Sequence, residues 1–338
     1  MEKELLDACE QGDVEKVKQL LKEPKIDLNW EDNNKRTSFG VACEKGGVEV
    51  IKLLLSDERM DVNKSSNSNG RPALFHDGQT PFFIACGRGD VEVLKLLLND
   101  ERVDVNKPDI FGHTPFHLAC SRGFKEVLEL LLNCERIDPN QANHKGWTAL
   151  WIACRFGNVD IVEFLLKSDQ IYIHQPEYED GYTPLHAACE GNHIEVVRLL
   201  LNEQRLDVNC LDKFLRTPFF LACYEEHFEI MEYMLSSGRE INLNMKEKFG
   251  RTAISVSRER ESEAKGAHEN DQVYQERKTK WKKNVELLES FERNPIETRL
   301  KLRIQLGLAG IYFLLFLFLF LFLFFFGFLF IHLFPNLI

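Results

Sequence analysis

"TPFHLAC", residues 114–120, returns as "TALWIAC" at 148–154, "TPLHAAC" at 183–189 and "TPFFLAC" at 217–223. Equivalent segments begin at Thr37, Thr80, Thr114, Thr148, Thr183, Thr217 and Thr252, about 34 residues apart except for one longer interval, a period that marks a solenoid. Thr followed by Pro predicts the start of a short helix, because Thr caps exposed amides and Pro at the first helical position has no amide to leave unpaired. Gly89, Gly123 and Gly157 then close that helix in left-handed backbone. In "VEVLKLLL", 91–98, apolar residues three and four apart predict a second helix packed behind the first. The Asp-Val-Asn stretches at 61–63, 104–106 and 207–209 lead into an extended hairpin before the next Thr. Each unit is therefore helix A, turn, helix B, hairpin.

This order resembles the ankyrin repeat, on the strength of "GHTPFHLACSRGFKEVLELLLNCERIDPN" (112–140) and "GYTPLHAACEGNHIEVVRLLLNEQRLDVN" (181–209), and the resemblance runs through about residues 1–260. Two departures stand out. Helix B leads to its hairpin through the longer "NDERVDVN" form (99–106), and Asn192 and Glu226 occupy the place of the left-handed glycine. Asn tolerates that backbone, so the unit with Glu226 is expected to be the more strained.

The expected fold class is all-α: an ankyrin-repeat solenoid, then a charged helical linker, then one C-terminal transmembrane helix. Residues 1–36 form a capping unit that keeps Ala8-Cys9 and Gly12 without the Thr-Pro start. Six units fill 37–251, with "KSSNSNGRP" (64–72) as a loop inserted in a hairpin. A degenerate last repeat with a charged insertion covers 252–294, its helix B in "WKKNVELLESFER" (281–293). A basic juxtamembrane linker with Arg299, Lys301 and Arg303 follows at 295–305, then the apolar run 306–330 and a short tail 331–338.

The formal net charge of −11 excludes a partner bound by neutralising phosphates, so no nucleic acid is expected. Leu306–Phe330 has no charged residue and is long enough as a helix to cross a hydrocarbon core of about 30 Å, with membrane lipid as its partner. Basic residues lie only before it, which keeps the repeats cytosolic and makes the chain a single-pass, tail-anchored protein. The rival reading is that alternating Phe and Leu translate a thymine-rich tract at a gene-model error; the chain is then a soluble, cytoplasmic ankyrin regulator. The opening "MEKELLDACEQGD" has no secretory signal character, and nine cysteines in a cytosolic body are expected to be reduced. Glycosylation at the sequon Asn63-Lys64-Ser65 would refute the cytosolic orientation.

The recurring Cys9, Cys43, Cys86, Cys120, Cys154, Cys189 and Cys223 are expected to be packing residues. Free Cys packs as a small hydrophobe, and neighbours one repeat apart lie about 10 Å from each other, beyond disulfide reach. Cys134 and Cys210 fall off this register and are the more exposed thiols. His113 and His117 are four apart, but His113 precedes the helix, so no metal site is expected; the resemblance makes His117 and His186 ties between helix and hairpin. "GRGD" (87–90) is an inter-helix turn. No phosphate loop, nucleophile elbow or carboxylate pair emerges, so no catalysis, cofactor or small-molecule substrate is expected.

Recognition remains. The resemblance implies partner binding through hairpin tips and the exposed side of the A helices, which form a concave face. Carried over residue by residue, that selects Phe111, His113, Trp147, Tyr178, Tyr182 and Phe214 from the hairpins, and Arg88, Arg122, Arg155, Phe156 and Tyr224 from the helix ends. Trp, Tyr and Arg are enriched in binding hot spots, and Trp147 and Tyr182 are expected side by side, each just before its Thr. Arg among aromatics in an acidic body points to a protein or peptide partner with acidic and apolar residues. The competing reading is that the hairpin aromatics only pack on one another. The resemblance also makes Asn63, Asn106, Asn140 and Asn209 candidate acceptors of oxygen-dependent hydroxylation, a mark received and not an activity. A regulatory arm of an enzyme or channel complex is the third functional reading.

Overall fold

The computed structural model describes residues 1–65, 78–264 and 270–308. Two compact units result, Met1–Leu206 and Asp207–Ile338, each described by itself. In the first, six helix pairs follow one another: α1 (Glu2–Gln11) with α2 (Val14–Leu21), α3 (Ser38–Lys45) with α4 (Val48–Leu55), and α5 (Pro81–Arg88) with α6 (Val91–Leu98). Next come α7 (Pro115–Arg122) with α8 (Lys125–Leu132), α9 (Ala149–Arg155) with α10 (Val159–Leu166), and α11 (Pro184–Glu190) with α12 (Ile194–Asn202). Each A helix packs on its own B helix and on the A helix of the next pair.

The Thr residues start these helices for the expected reason. The hydroxyl of Thr80 accepts the amide of Phe83 at 3.1 Å and that of Thr148 accepts the amide of Trp151 at 3.1 Å. The ends behave likewise, with φ of 77°, 75° and 69° at Gly89, Gly123 and Gly157. Asn192 and Glu226 take the same left-handed backbone, at φ 58° and 64°, so the turn geometry is imposed by packing even where the residue resists it. The core is aliphatic and aromatic: Phe39, Phe82, Phe116, Leu94 and Ile51 are fully buried. All seven register cysteines are buried, and Cys134 and Cys210 are half-buried. Burial raises the Cys9 thiol to about 12 and those of Cys43, Cys86, Cys120, Cys154 and Cys223 well above their ordinary value, which makes them poor nucleophiles.

Successive units are tied by a side-chain ladder. Asn106 donates its Nδ2 to the carbonyl of Arg136 at 2.6 Å and accepts the amide of Asp138 at 2.9 Å on Oδ1. Asn29 makes the same pair with Arg59 and Asp61, Asn63 with Arg102 and Asp104, and Asn140 with Gln170 and Tyr172. A comb of arginines reinforces it: Arg102 Nη2 donates to the Leu55 carbonyl at 2.7 Å, and Arg136 Nη2 to that of Leu98 at 2.7 Å. Those carbonyls belong to the last turn of the preceding B helix, which has no intrahelical donor for them.

The second unit contains α13 (Pro218–Tyr224), α14 (Phe228–Ser236), α15 (Ala253–Ser262), α16 (Asp271–Arg293) and α17 (Pro295–Gln305). Trp281 on α16 is fully buried and meets the Phe228 ring edge-on at 5.1 Å. The stretch read as a basic linker is α17, which packs on α14 and α16 and buries Thr298 and Leu302.

The expected transmembrane helix is corrected: among the described residues, no helix is long and apolar enough to cross a membrane. The helix before the apolar run does not continue into it. α17 closes with Gly307 at φ 68°, whose amide reaches the Ile304 carbonyl at 3.2 Å, while the Leu308 amide reaches that of Arg303 at 2.7 Å. Those two bonds make a Schellman stop. The rest of the 306–330 span, from 309 on, lies outside the described residues, as do 66–77 of the inserted loop and 265–269 of the charged insertion.

Candidate functional site: the helix A and hairpin face

The hairpins are built around one acceptor each. Asp109 Oδ1 takes the amides of Phe111 and His113, both at 2.9 Å, and Asn143 Oδ1 takes those of Lys145 at 2.9 Å and Trp147 at 3.0 Å. Burial pushes the Asp109 carboxyl up, but the hydrogen bonds from His113 and Phe111 outweigh it and hold the group below its usual value. Neighbouring tips are zipped by main-chain bonds, His144 N to Phe111 O at 3.2 Å and Tyr178 N to Lys145 O at 2.9 Å. Glycine is required at the tip. At Gly146, φ 84°, an added Cβ would lie 2.6 Å from the Tyr178 nitrogen.

The residues before Thr148 and Thr183 each stack on a ring of their own helix. Tyr182 is 7% exposed and stacks on His186 at 5.7 Å, and Trp147 is half-buried and stacks on Trp151 at 4.8 Å. Each aromatic thus lies over the ring of the helical residue four positions on in its own unit. Tyr182 therefore leaves the set of exposed binding residues. Trp151 is a residue the sequence reading passed over. It takes the place of His117 and His186, and its Nε1 donates to the Tyr182 carbonyl at 2.8 Å, as His117 Nε2 meets the Trp147 carbonyl at 2.9 Å. With Nε2 donating, His117 Nδ1 accepts the Thr114 amide at 3.1 Å. Burial lowers His117 to about 4, so it is a neutral tie.

The other candidates divide by exposure. His113 is half-buried between the Asp109 carboxylate, 3.6 Å from its Nδ1, and Asn143 Nδ2, 2.9 Å from its Nε2. Its ring lies 5.8 Å from that of His117, and among the described residues no group of three or more His, Cys, Asp or Glu could hold a metal ion. Arg155 is held by Glu190 at 2.9 Å. Phe111, Tyr178 and Phe156 are exposed, Phe156 most of all at 71%. Arg88 and Arg122 are exposed and have no ion-pair partner among the described residues. In the second unit, Phe214 is covered by Arg216 and Lys248 at 4.7 and 5.9 Å, and Tyr224 by Arg260 at 5.2 Å.

Between α7 and α9 the face opens into a pocket of about 300 Å³ lined by Cys120, Ser121, Ala149, Ile152 and Phe156, among others. Its walls include Ser121, small and exposed near the end of α7, Ile152 of α9, and Phe156 at the C-cap of α9. Lys145 lies 4.6 Å over the Trp147 ring in the adjoining hairpin. The four asparagines proposed as hydroxylation acceptors all have both ends of their amides committed to the ladder, Asn209 through Glu240 and Asn242.

The family model described as ankyrin repeats (3 copies) matches residues 5–106, 82–176 and 169–246. The solved ankyrin repeat domain of Bcl-3, described as a unique member of the IkappaB protein family, aligns with a TM-score of 0.58. That alignment covers 67% of this chain and 95% of the other at 23% sequence identity, a likeness of fold. Comparison with curated proteins finds no match.

Proposed function

The chain belongs to the ankyrin-repeat family, and from that premise we propose that it is a non-catalytic protein-binding scaffold taking a peptide segment on the helix A and hairpin face of Met1–Leu206. One observation carries the reading. An apolar pocket of about 300 Å³, walled by the 71%-exposed Phe156, adjoins the repeats whose A helices end in Arg88 and Arg122, which have no ion-pair partner among the described residues. An apolar anchor bordered by uncommitted guanidinium groups favours a bulky apolar side chain with carboxylates a few residues away. We further propose a cytoplasmic setting. All nine cysteines are free thiols, whereas oxidising compartments favour disulfides.

A random twelve-residue peptide library displayed on phage, selected against the immobilised full chain, tests this. Enriched sequences should combine a large apolar residue with Asp or Glu, and charge reversal in Arg122→Glu should lose them. Recovery of no peptide above background, or of basic peptides that Arg122→Glu retains, would sink the reading.

A further inference from the structure

Within Asp207–Ile338 the asparagine ladder takes one more step and then stops. Asn209 Nδ2 donates to the Glu240 carbonyl at 2.7 Å and its Oδ1 accepts the Asn242 amide at 2.9 Å. Asn244 stands in the same register, as the last residue of "INLN" where Asn209 ends "LDVN". Its backbone amide is bound by Asn242 Oδ1 at 3.0 Å, but its exposed side-chain amide has no partner among the described residues.

The cause lies in α17. The next step would need a carbonyl from the residue in the arginine position of the following loop, plus the amide two residues on. Arg299 supplies the side-chain half of that loop: its Nε and Nη2 donate to the Leu235 and Arg239 carbonyls at 3.4 and 3.1 Å, as Arg136 does toward Leu98. Its main chain is helical, within Pro295–Gln305, so its carbonyl is directed along the helix axis and cannot meet Asn244. A cleft of about 410 Å³ is left where the loop would run, lined by Asn242, Asn244, Phe291, Glu292 and Pro295, among others.

We propose that this open step is a binding site for an extended segment of a partner protein, recognised through its main chain. Asn244 donates Nδ2–H to one carbonyl of that segment and accepts on Oδ1 the amide two residues further along. The chain's own loops define the rest of its chemistry. After the carbonyl residue, positions one and three are apolar and buried, as with Val103 and Val105 after Arg102, and Ile241 and Leu243 after Glu240. The occupant is therefore an extended stretch with alternating aliphatic residues, a strand-like addition rather than a helix. This site is separate from the helix A face, and neither depends on the other.

The probe is a fluorescein-labelled octapeptide with the sequence of residues 99–106, "NDERVDVN", titrated into the full chain by fluorescence anisotropy. Saturable binding is expected. N-methylation of the peptide amide that corresponds to Asp104, and separately Asn244→Ala in the protein, should each weaken it about tenfold, the effect of losing one or two hydrogen bonds. Unchanged thermal unfolding of the exposed Asn244→Ala variant separates lost binding from lost fold. A benzoylphenylalanine crosslinker in place of Glu292 should mark the peptide. The proposal is overturned by absence of saturable binding at millimolar peptide, by equal binding of the methylated peptide, or by crosslinks that go instead to residues 309–338 or a second copy.

Discussion

Met1–Leu206 and Asp207–Ile338 are built on one repeat, yet they differ in charge and in how the repeat ends. The whole formal net charge of −11 falls in the first unit, while the second holds as many basic as acidic residues. In the first, Asn29, Asn63, Asn106 and Asn140 each hand their amide to the next loop. In the second, α16 stretches to 23 residues and α17 turns back, so the arginine of the next loop is present but its backbone is not. The difference separates two things that a regular repeat always delivers together. Capping of the preceding helix needs only a guanidinium; closing the ladder needs an extended chain.

Losses that break this comparison should run from large to small. Trp281→Ala empties the centre of the second unit and is expected to cost about 3–5 kcal/mol, giving a separate early unfolding transition by circular dichroism while Met1–Leu206 melts as before. His117 gives a pH handle confined to the first unit. Its folded value, lowered to about 4 by burial, means the unfolded chain binds more protons below about pH 6.5. The stability it contributes is therefore full above that value and lost as pH falls toward 4, on the order of 3 kcal/mol. Denaturant melts at pH 7 and 4.5 should show that loss in the wild type and a smaller one in His117→Gln.

The asparagines give the sharpest contrast. Asn106→Ala removes a donor and an acceptor and should cost about 2 kcal/mol, whereas Asn244→Ala, with nothing to lose among the described residues, should stay within about 0.5 kcal/mol of wild type. Equal effects in urea melts would abolish the distinction between the two units.

What the sequence made legible follows from which forces are local. Thr caps, left-handed turns and aliphatic spacing act within a few residues, so the repeat and its register could be read directly, down to Asn192 in left-handed backbone. Contacts between units could not. The arginines at 59, 102, 136 and 205 recur four residues before an Asn, a signal that was available, but only the fold shows that they reach carbonyls one unit back. The burial of Tyr182 and its stack on His186 are not legible in its position before a Thr. The basic residues of 295–305 looked like a membrane flank because their charge is local, whereas the packing of Thr298, Arg299 and Leu302 on the folded unit is not.

The central functional claim is that the pocket between α7 and α9 holds the apolar anchor of a bound peptide. Isothermal titration of a display-selected peptide into the wild type and Phe156→Ala tests it directly. Because Phe156 is 71% exposed, the substitution should leave the melting temperature unchanged and weaken binding about tenfold or more; an identical Kd in the two proteins would contradict the account.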